Sequence, residues 1–158
     1  MRRLLRTQGI LALSCLLAAC GGSDAASGTA HPPGPTETAI LAGGCFWCTE
    51  GAFDGVPGVL EAVSGYTGGE KPNPTYEEVS AGGTGHLEAI QVRFEPSKIS
   101  YAQVLDIFWR QIDPTDDGGQ FADRGAQYRA AIFVGDDDQR RTAEGSLKAL
   151  DATRWFDK

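Results

Sequence analysis

Residues 38–48 read TAILAGGCFWC: a short apolar run, then two glycines, then two cysteines separated by Phe46 and Trp47. An apolar run closed by glycines reads as a buried strand, and Phe46 and Phe53 recur at helix-compatible spacing in the CFWCTEGAFDGV that follows. The chain therefore passes from strand to helix through Gly43 and Gly44, which places Cys45 at the helix start. Unpaired backbone N–H groups at a helix start favour a thiolate over a thiol. The glycines leave the backbone uncluttered, so that a substrate can approach Cys45 closely.

The alternation of strand and helix patterns continues downstream. GVLEAVSGYTGG is strand-like and closed by glycines, and KPNPTYEEVSAGG is a proline-marked turn into a short helix. In HLEAIQVRFEP, alternation puts Glu88, Ile90, Val92 and Phe94 on one face, so a carboxylate shares a face with three apolar side chains. SYAQVLDIFWRQI opens with Ser100 and Gln103 in capping-box spacing and carries Val104, Leu105, Phe108, Trp109 and Ile112 as one apolar stripe. DPTDDGGQFADRG is a polar loop suited to walling a site. AQYRAAIFVG reads as a strand with Tyr128, Ala130, Ile132 and Val134 on its core face. The closing DDDQRRTAEGSLKALDATRWF reads as a helix with acids at its N-terminus and with Leu147 and Leu150 directed inward.

The front of the chain is a different material. Arg2, Arg3 and Arg6 precede GILALSCLLAAC, an apolar run too short for a membrane span, so residues 1–19 read as an export signal. LAAC, ending at Cys20, resembles the lipobox of bacterial lipoproteins, in which the cysteine is lipidated and becomes the first residue. Residues 20–37 are rich in Gly, Pro and small residues and read as a flexible tether, leaving 38–158 as one domain. The expected location is thus outside the cytoplasm, lipid-anchored to a bacterial membrane and facing the periplasm or the cell exterior. A net charge of −7 without a basic cluster in the domain argues against a nucleic-acid partner.

A CxxC pair serves several chemistries. Structural zinc needs four ligands, and beyond the anchor region the chain adds only His86 and no further cysteine. A thioredoxin-like exchange site fits a CxxC at a helix start, although the aromatics Phe46 and Trp47 fill a gap that in thioredoxins holds small residues or proline. An inert pair, or a binding module without turnover, remains open on the motif alone.

Six blocks, GGCFWC, GYTGG, NPTYEEV, GHLEAIQVRFEP, IFWRQIDPTD and DRGAQYRAAIF, resemble those of A-type peptide methionine sulfoxide reductases in order and spacing, from about Thr38 to Lys158. The resemblance implies a two-layer α+β sandwich with a mixed β-sheet. It also implies thiol-dependent reduction of methionine-S-sulfoxide, free or in oxidised proteins, without a metal or other cofactor. Carried over by motif, Cys45 is the nucleophile, Glu88 the acid that protonates the departing oxygen, and Cys48 the resolving thiol that closes a Cys45–Cys48 disulfide. An external thioredoxin-type dithiol would reopen that bond. Phe46 and Trp47 match the apolar side of the substrate pocket, and Tyr76, Asp123 and Tyr128 its polar side. The alternative activity is general thiol–disulfide exchange. The family pattern continues past TRWFDK through a further strand and a His-containing segment, so the domain is expected to be truncated at its C-terminus.

Overall fold

The computed structural model describes residues 34–156. The expected export signal over 1–19, the lipidation at Cys20 and all but the last residues of the 20–37 tether lie outside the described residues.

Six strands and four helices follow in chain order: β1 (Glu37–Ala42), α1 (Phe46–Gly51), β2 (Val59–Thr67), α2 (Tyr76–Ser80), β3 (Leu87–Phe94), α3 (Tyr101–Trp109), β4 (Gly119–Gln120), β5 (Asp123–Arg124), β6 (Ala131–Phe133) and α4 (Asp137–Ala152). A short 3-10 turn, Ala126–Tyr128, precedes β6. The main sheet has the order β2-β3-β1-β6, and β4 and β5 form a separate two-stranded hairpin. The expected α+β class in one domain is observed. The mixed sheet is corrected, because every pairing among the described strands is antiparallel. β1, α1 and β2 form a strand–helix–strand unit whose strands run the same way, but β3 is inserted between them. The alternation along the chain is therefore real, yet no parallel neighbours result.

The core lies between the sheet and the helices on one of its faces. Ala39 and Leu41 of β1 and Ile90, Val92 and Phe94 of β3 meet Val104, Leu105 and Phe108 of α3, all buried. The capping box at the start of α3 is present: the Gln103 N–H donates to Ser100 Oγ at 3.3 Å, and the Ser100 N–H to Gln103 Oε1 at 2.9 Å. A second capping box, Thr75 with Glu78, starts α2.

Register decides what faces the core from β2. Val59 pairs with Phe94 and Glu61 with Arg93, so Leu60 is an extra residue that bulges out of the ladder. Past the bulge Ala62, Ser64 and Tyr66 stand opposite Val92, Ile90 and Glu88, on the inner face.

Two assignments at the C-terminal end are corrected. Tyr128 lies in the 3-10 turn and not in a strand, since β6 begins only at Ala131; Ala130, Ile132 and Val134 do pack against the core. Leu147 is exposed and Leu150 only half-buried. α4 meets α3 through small groups, with Ala143 buried and Ser146 Oγ accepting from Trp109 Nε1 at 3.1 Å. Leu147 is left on the rim of an apolar cleft lined by Phe108, Ile132, Val134 and Ala143.

The turn after β1 is pressed against α3: a Cβ on Gly43 would stand 2.9 Å from Phe108 Cε2 and 3.1 Å from Ile112 Cγ2. Gly43→Ala is expected to cost about 1–3 kcal/mol by overpacking, read as a lower urea midpoint at unchanged slope.

Candidate active site

The site is built on α1, which at six residues is too short to be stable on its own. Cys45 is its N-cap and has no side-chain cap bond; its carbonyl accepts from the Cys48 and Thr49 N–H groups at 3.1 Å each. Side chains pin the helix from three directions. The Phe46 N–H donates to Glu88 Oε2 at 3.0 Å, and the Ser64 N–H donates to Glu50 Oε2 at 2.9 Å with the Ser64 hydroxyl on the same oxygen. Thr49 Oγ1 donates to the Gly43 carbonyl at 3.3 Å. The Cys45 thiol is half-buried and Cys48 is exposed, both free.

Glu88, at 2% exposure, accepts from the peptide N–H that follows Cys45. Burial pushes its pKa above the usual carboxylate range; the Phe46 N–H pulls it back, and the charge of Asp123 adds to the rise. The Cys48 thiol is also pushed up, first by the Cys45 sulfur beside it, then by desolvation and a hydrogen bond to Cys45, with Asp123 again contributing.

An aromatic group surrounds these side chains. Phe46 is buried and its ring lies 5.4 Å from Trp47, 5.6 Å from Tyr66 and 6.4 Å from Tyr76. Trp47 is 65% exposed and stacks on Tyr76 with centroids 6.0 Å apart. Phe46 is thus the floor of the group and Trp47 its accessible wall. The Tyr66 and Tyr128 phenols are raised, by desolvation first and by the charge of Glu88 second, so both keep protons that a ligand oxygen could accept.

The structure therefore brings Cys45, Cys48, Phe46, Trp47, Tyr76, Glu88, Asp123 and Tyr128 into one neighbourhood. Asp123 stands on β5, the exposed strand of the hairpin, and acts on the others through its charge. Tyr66 was not among the site residues read from the sequence. The adjacent apolar residues Val59 and Leu60, which break strict alternation, are the signal that β2 changes parity before reaching it. Glu50 and Gln120 were missed too. Gln120, 1% exposed, spans the hairpin base by accepting from the Asp113 N–H at 2.7 Å and donating to its carbonyl at 2.9 Å.

The expected role of the glycines is corrected. They do not open the backbone to substrate; they admit neighbouring parts of the protein, Phe108 and Ile112 at Gly43 and Gln120 at Gly44, where φ is +90° and a Cβ would lie 2.8 Å from Gln120 Cβ. His86 is structural, accepting from the Gly69 N–H at Nδ1 (3.3 Å) and meeting the Lys71 carbonyl through Nε2 (2.8 Å). Among the described residues no group of three or more His, Cys, Asp or Glu converges as metal ligands. No helix among them is long and apolar enough to cross a membrane.

The family model described as peptide methionine sulfoxide reductase matches residues 37–158. The chain is 56% identical over 122 residues to the peptide methionine sulfoxide reductase MsrA of Ligilactobacillus salivarius, covering 77% of this chain and 71% of that one. It is 57% identical over 114 residues to the protein of the same name from Bacillus subtilis, covering 72% and 64%. Among solved structures it is similar to methionine sulfoxide reductase A of Corynebacterium diphtheriae, with a TM-score of 0.68 and 32% identity, over 78% of this chain and 57% of that one. It is also similar to Mxr1 from Saccharomyces cerevisiae in reduced form, with a TM-score of 0.73 and 28% identity, over 80% and 74%.

The burial of Glu88 has a measurable cost. Its folded pKa lies above its unfolded one, so its contribution to stability is complete below the unfolded value and drains away as pH rises through the folded value. Glu88→Gln keeps an acceptor for the Phe46 N–H and removes the ionisation. Urea unfolding across the acid-to-neutral range is expected to show the variant gaining on the wild type as pH rises, until the difference flattens.

Proposed function

The chain belongs to the peptide methionine sulfoxide reductase family, and from that premise we propose that Cys45 is its nucleophile, Glu88 its acid and Cys48 its resolving thiol. Members of this family are oxidoreductases that reduce methionine sulfoxide at the expense of thiols, and this chain is one. The observation that carries the assignment of roles is the Phe46 N–H to Glu88 bond, which holds a buried carboxyl one residue from the nucleophile.

In this reading the sulfoxide methyl lies against Trp47, over the Phe46 ring, and the oxygen points to Glu88 and the Tyr66, Tyr76 and Tyr128 phenols. The Cys45 thiolate attacks the sulfoxide sulfur while Glu88 delivers a proton to the oxygen. The oxygen passes to Cys45, methionine leaves with two more electrons on its sulfur, and Cys45 becomes a sulfenic acid. The Cys48 sulfur then bonds to the Cys45 sulfur, and the oxygen departs as water. A dithiol of thioredoxin type returns two electrons to the disulfide. Asp123 raises the Cys48 and Glu88 protonation ranges from the hairpin. The substrates in this reading are the S epimer of methionine sulfoxide, free or within oxidised proteins. The LAAC sequence at Leu17–Cys20 supports an exported, lipid-anchored enzyme. In general disulfide exchange the leaving group is a thiolate, which needs a proton far less than a departing oxide does, so a buried carboxyl beside the nucleophile would have little to do.

A single turnover tests the roles. The reduced chain, freed of reductant and given racemic N-acetyl-methionine sulfoxide, is expected to yield one methionine per two thiols lost, from the S epimer alone. Cys45→Ser gives none. Cys48→Ser gives one methionine per thiol and stalls when the only reductant is a protein dithiol of thioredoxin type, too large to reach the half-buried Cys45. Glu88→Gln lowers kcat by about a hundredfold or more and abolishes the alkaline limb of the rate profile, where the wild type loses the acid's proton. Product formation unaffected by Glu88→Gln would remove the acid from the scheme.

A further inference from the structure

The β4–β5 hairpin holds a residue whose conformation works against its identity. Gln120 pairs with Asp123, so Phe121 and Ala122 form a two-residue turn. Phe121 has φ +51° and Ala122 is not in the positive region, the sign pattern of a type II′ turn, in which glycine is preferred at the first position. A bulky aromatic at positive φ is strained. Burial does not offset that strain, because Phe121 is 71% exposed. Its exposed ring is absent from the packed core.

Its neighbours place it at the mouth of the site. Gln120, before it, is buried against Gly44, the residue before the nucleophile. Asp123, two residues on, is near enough to Cys48, Glu88 and Tyr128 for its charge to raise all three. Trp47, 65% exposed, and Tyr76, 44% exposed, are the other uncovered aromatics of this region. The sulfoxide side chain itself is served by the pocket below, so a further aromatic at the rim meets what flanks it.

We propose that Phe121 is a specificity-determining residue that receives the apolar neighbours of a methionine sulfoxide in a polypeptide substrate. The inference rests on the reductase reading above and narrows it to a class of peptide. The occupant follows from methionine's own chemistry. Methionine fills apolar cores and interfaces, and its oxidation to a polar sulfoxide disrupts them, so the segments that reach this site carry apolar side chains beside the oxidised one. Contact between those side chains and the Phe121 ring removes apolar surface from water on both partners.

The test compares two short peptides, each with one central methionine-S-sulfoxide, flanked in one by leucines and in the other by glycines. The wild type is expected to favour the leucine-flanked peptide in kcat/KM, and Phe121→Gly to reduce that preference about five- to tenfold, mainly through KM for the leucine-flanked peptide. Because glycine suits the turn, the variant keeps its fold, and its thermal midpoint is expected to equal or exceed that of the wild type. Phe121→Leu, which retains apolar area, restores part of the preference. A preference unchanged by Phe121→Gly, or absent in the wild type, overturns the proposal while leaving the reductase reading intact. A wild type that turns over neither peptide overturns both.

Discussion

The hydrogen bond from the Phe46 N–H to the Glu88 carboxyl joins the two halves of the site at their least negotiable point. α1 cannot hold its own shape at this length, and Glu88 cannot be ionised cheaply where it sits. Each problem is the answer to the other. The carboxyl supplies an acceptor for an N–H that no helical carbonyl can reach, and the N–H supplies a partner to a carboxyl withdrawn from water. The residue bonded to the carboxyl is the residue after Cys45, so the carboxyl is anchored to the backbone beside that thiol. Ser64 and Glu50 repeat the arrangement in reverse, with the helix giving the carboxylate and the sheet giving the donors.

What was legible in the sequence was whatever depended on local periodicity or local chemistry. The face of β3 that carries Glu88 with Ile90, Val92 and Phe94 follows from alternation, and the start of α3 follows from the Ser100–Gln103 spacing. What was not legible depended on events elsewhere in the chain. The insertion of β3 between β1 and β2 cannot be read from the order of elements, so the antiparallel sheet was missed. Leu147 has the right spacing for a buried position, but the side chains that would cover it are not supplied by the described residues, and the helix rests on Ala143 and Ser146 instead. Tyr128 sits where a strand pattern is interrupted by a turn closed on Gly125. Tyr76, Asp123 and Tyr128 entered through motif resemblance, because nothing in periodicity relates them to a cysteine far from them in sequence.

Accessibility differs along the reaction in a useful order. Cys45 is half-buried between the aromatic floor and the hairpin, while Cys48, one turn on, is exposed. In the proposed roles a small side chain reaches the first thiol and a protein-sized reductant meets the second. On the proposed chemistry the transfer of oxidation from Cys45 to Cys48 is also a transfer from a sheltered place to an open one. The Cys45 sulfur first, then desolvation, and last the charge of Asp123 on the hairpin oppose early ionisation of the exposed thiol.

The bulge at Leu60 makes β2 a strand that counts its residues. Leu60 itself is partly exposed and touches none of the chemistry, yet it decides that Ser64 and Tyr66 point inward. With Leu60 taken into a regular pleat, strict alternation from Val59 would turn both side chains to solvent, taking the Glu50 anchor and one of the phenols with them, whereas removing Leu60 keeps Val59 opposite Phe94, Glu61 opposite Arg93 and both side chains inward. What is constrained at this position is therefore the phase between Val59 and the rest of the strand and not the identity of the side chain that sets it.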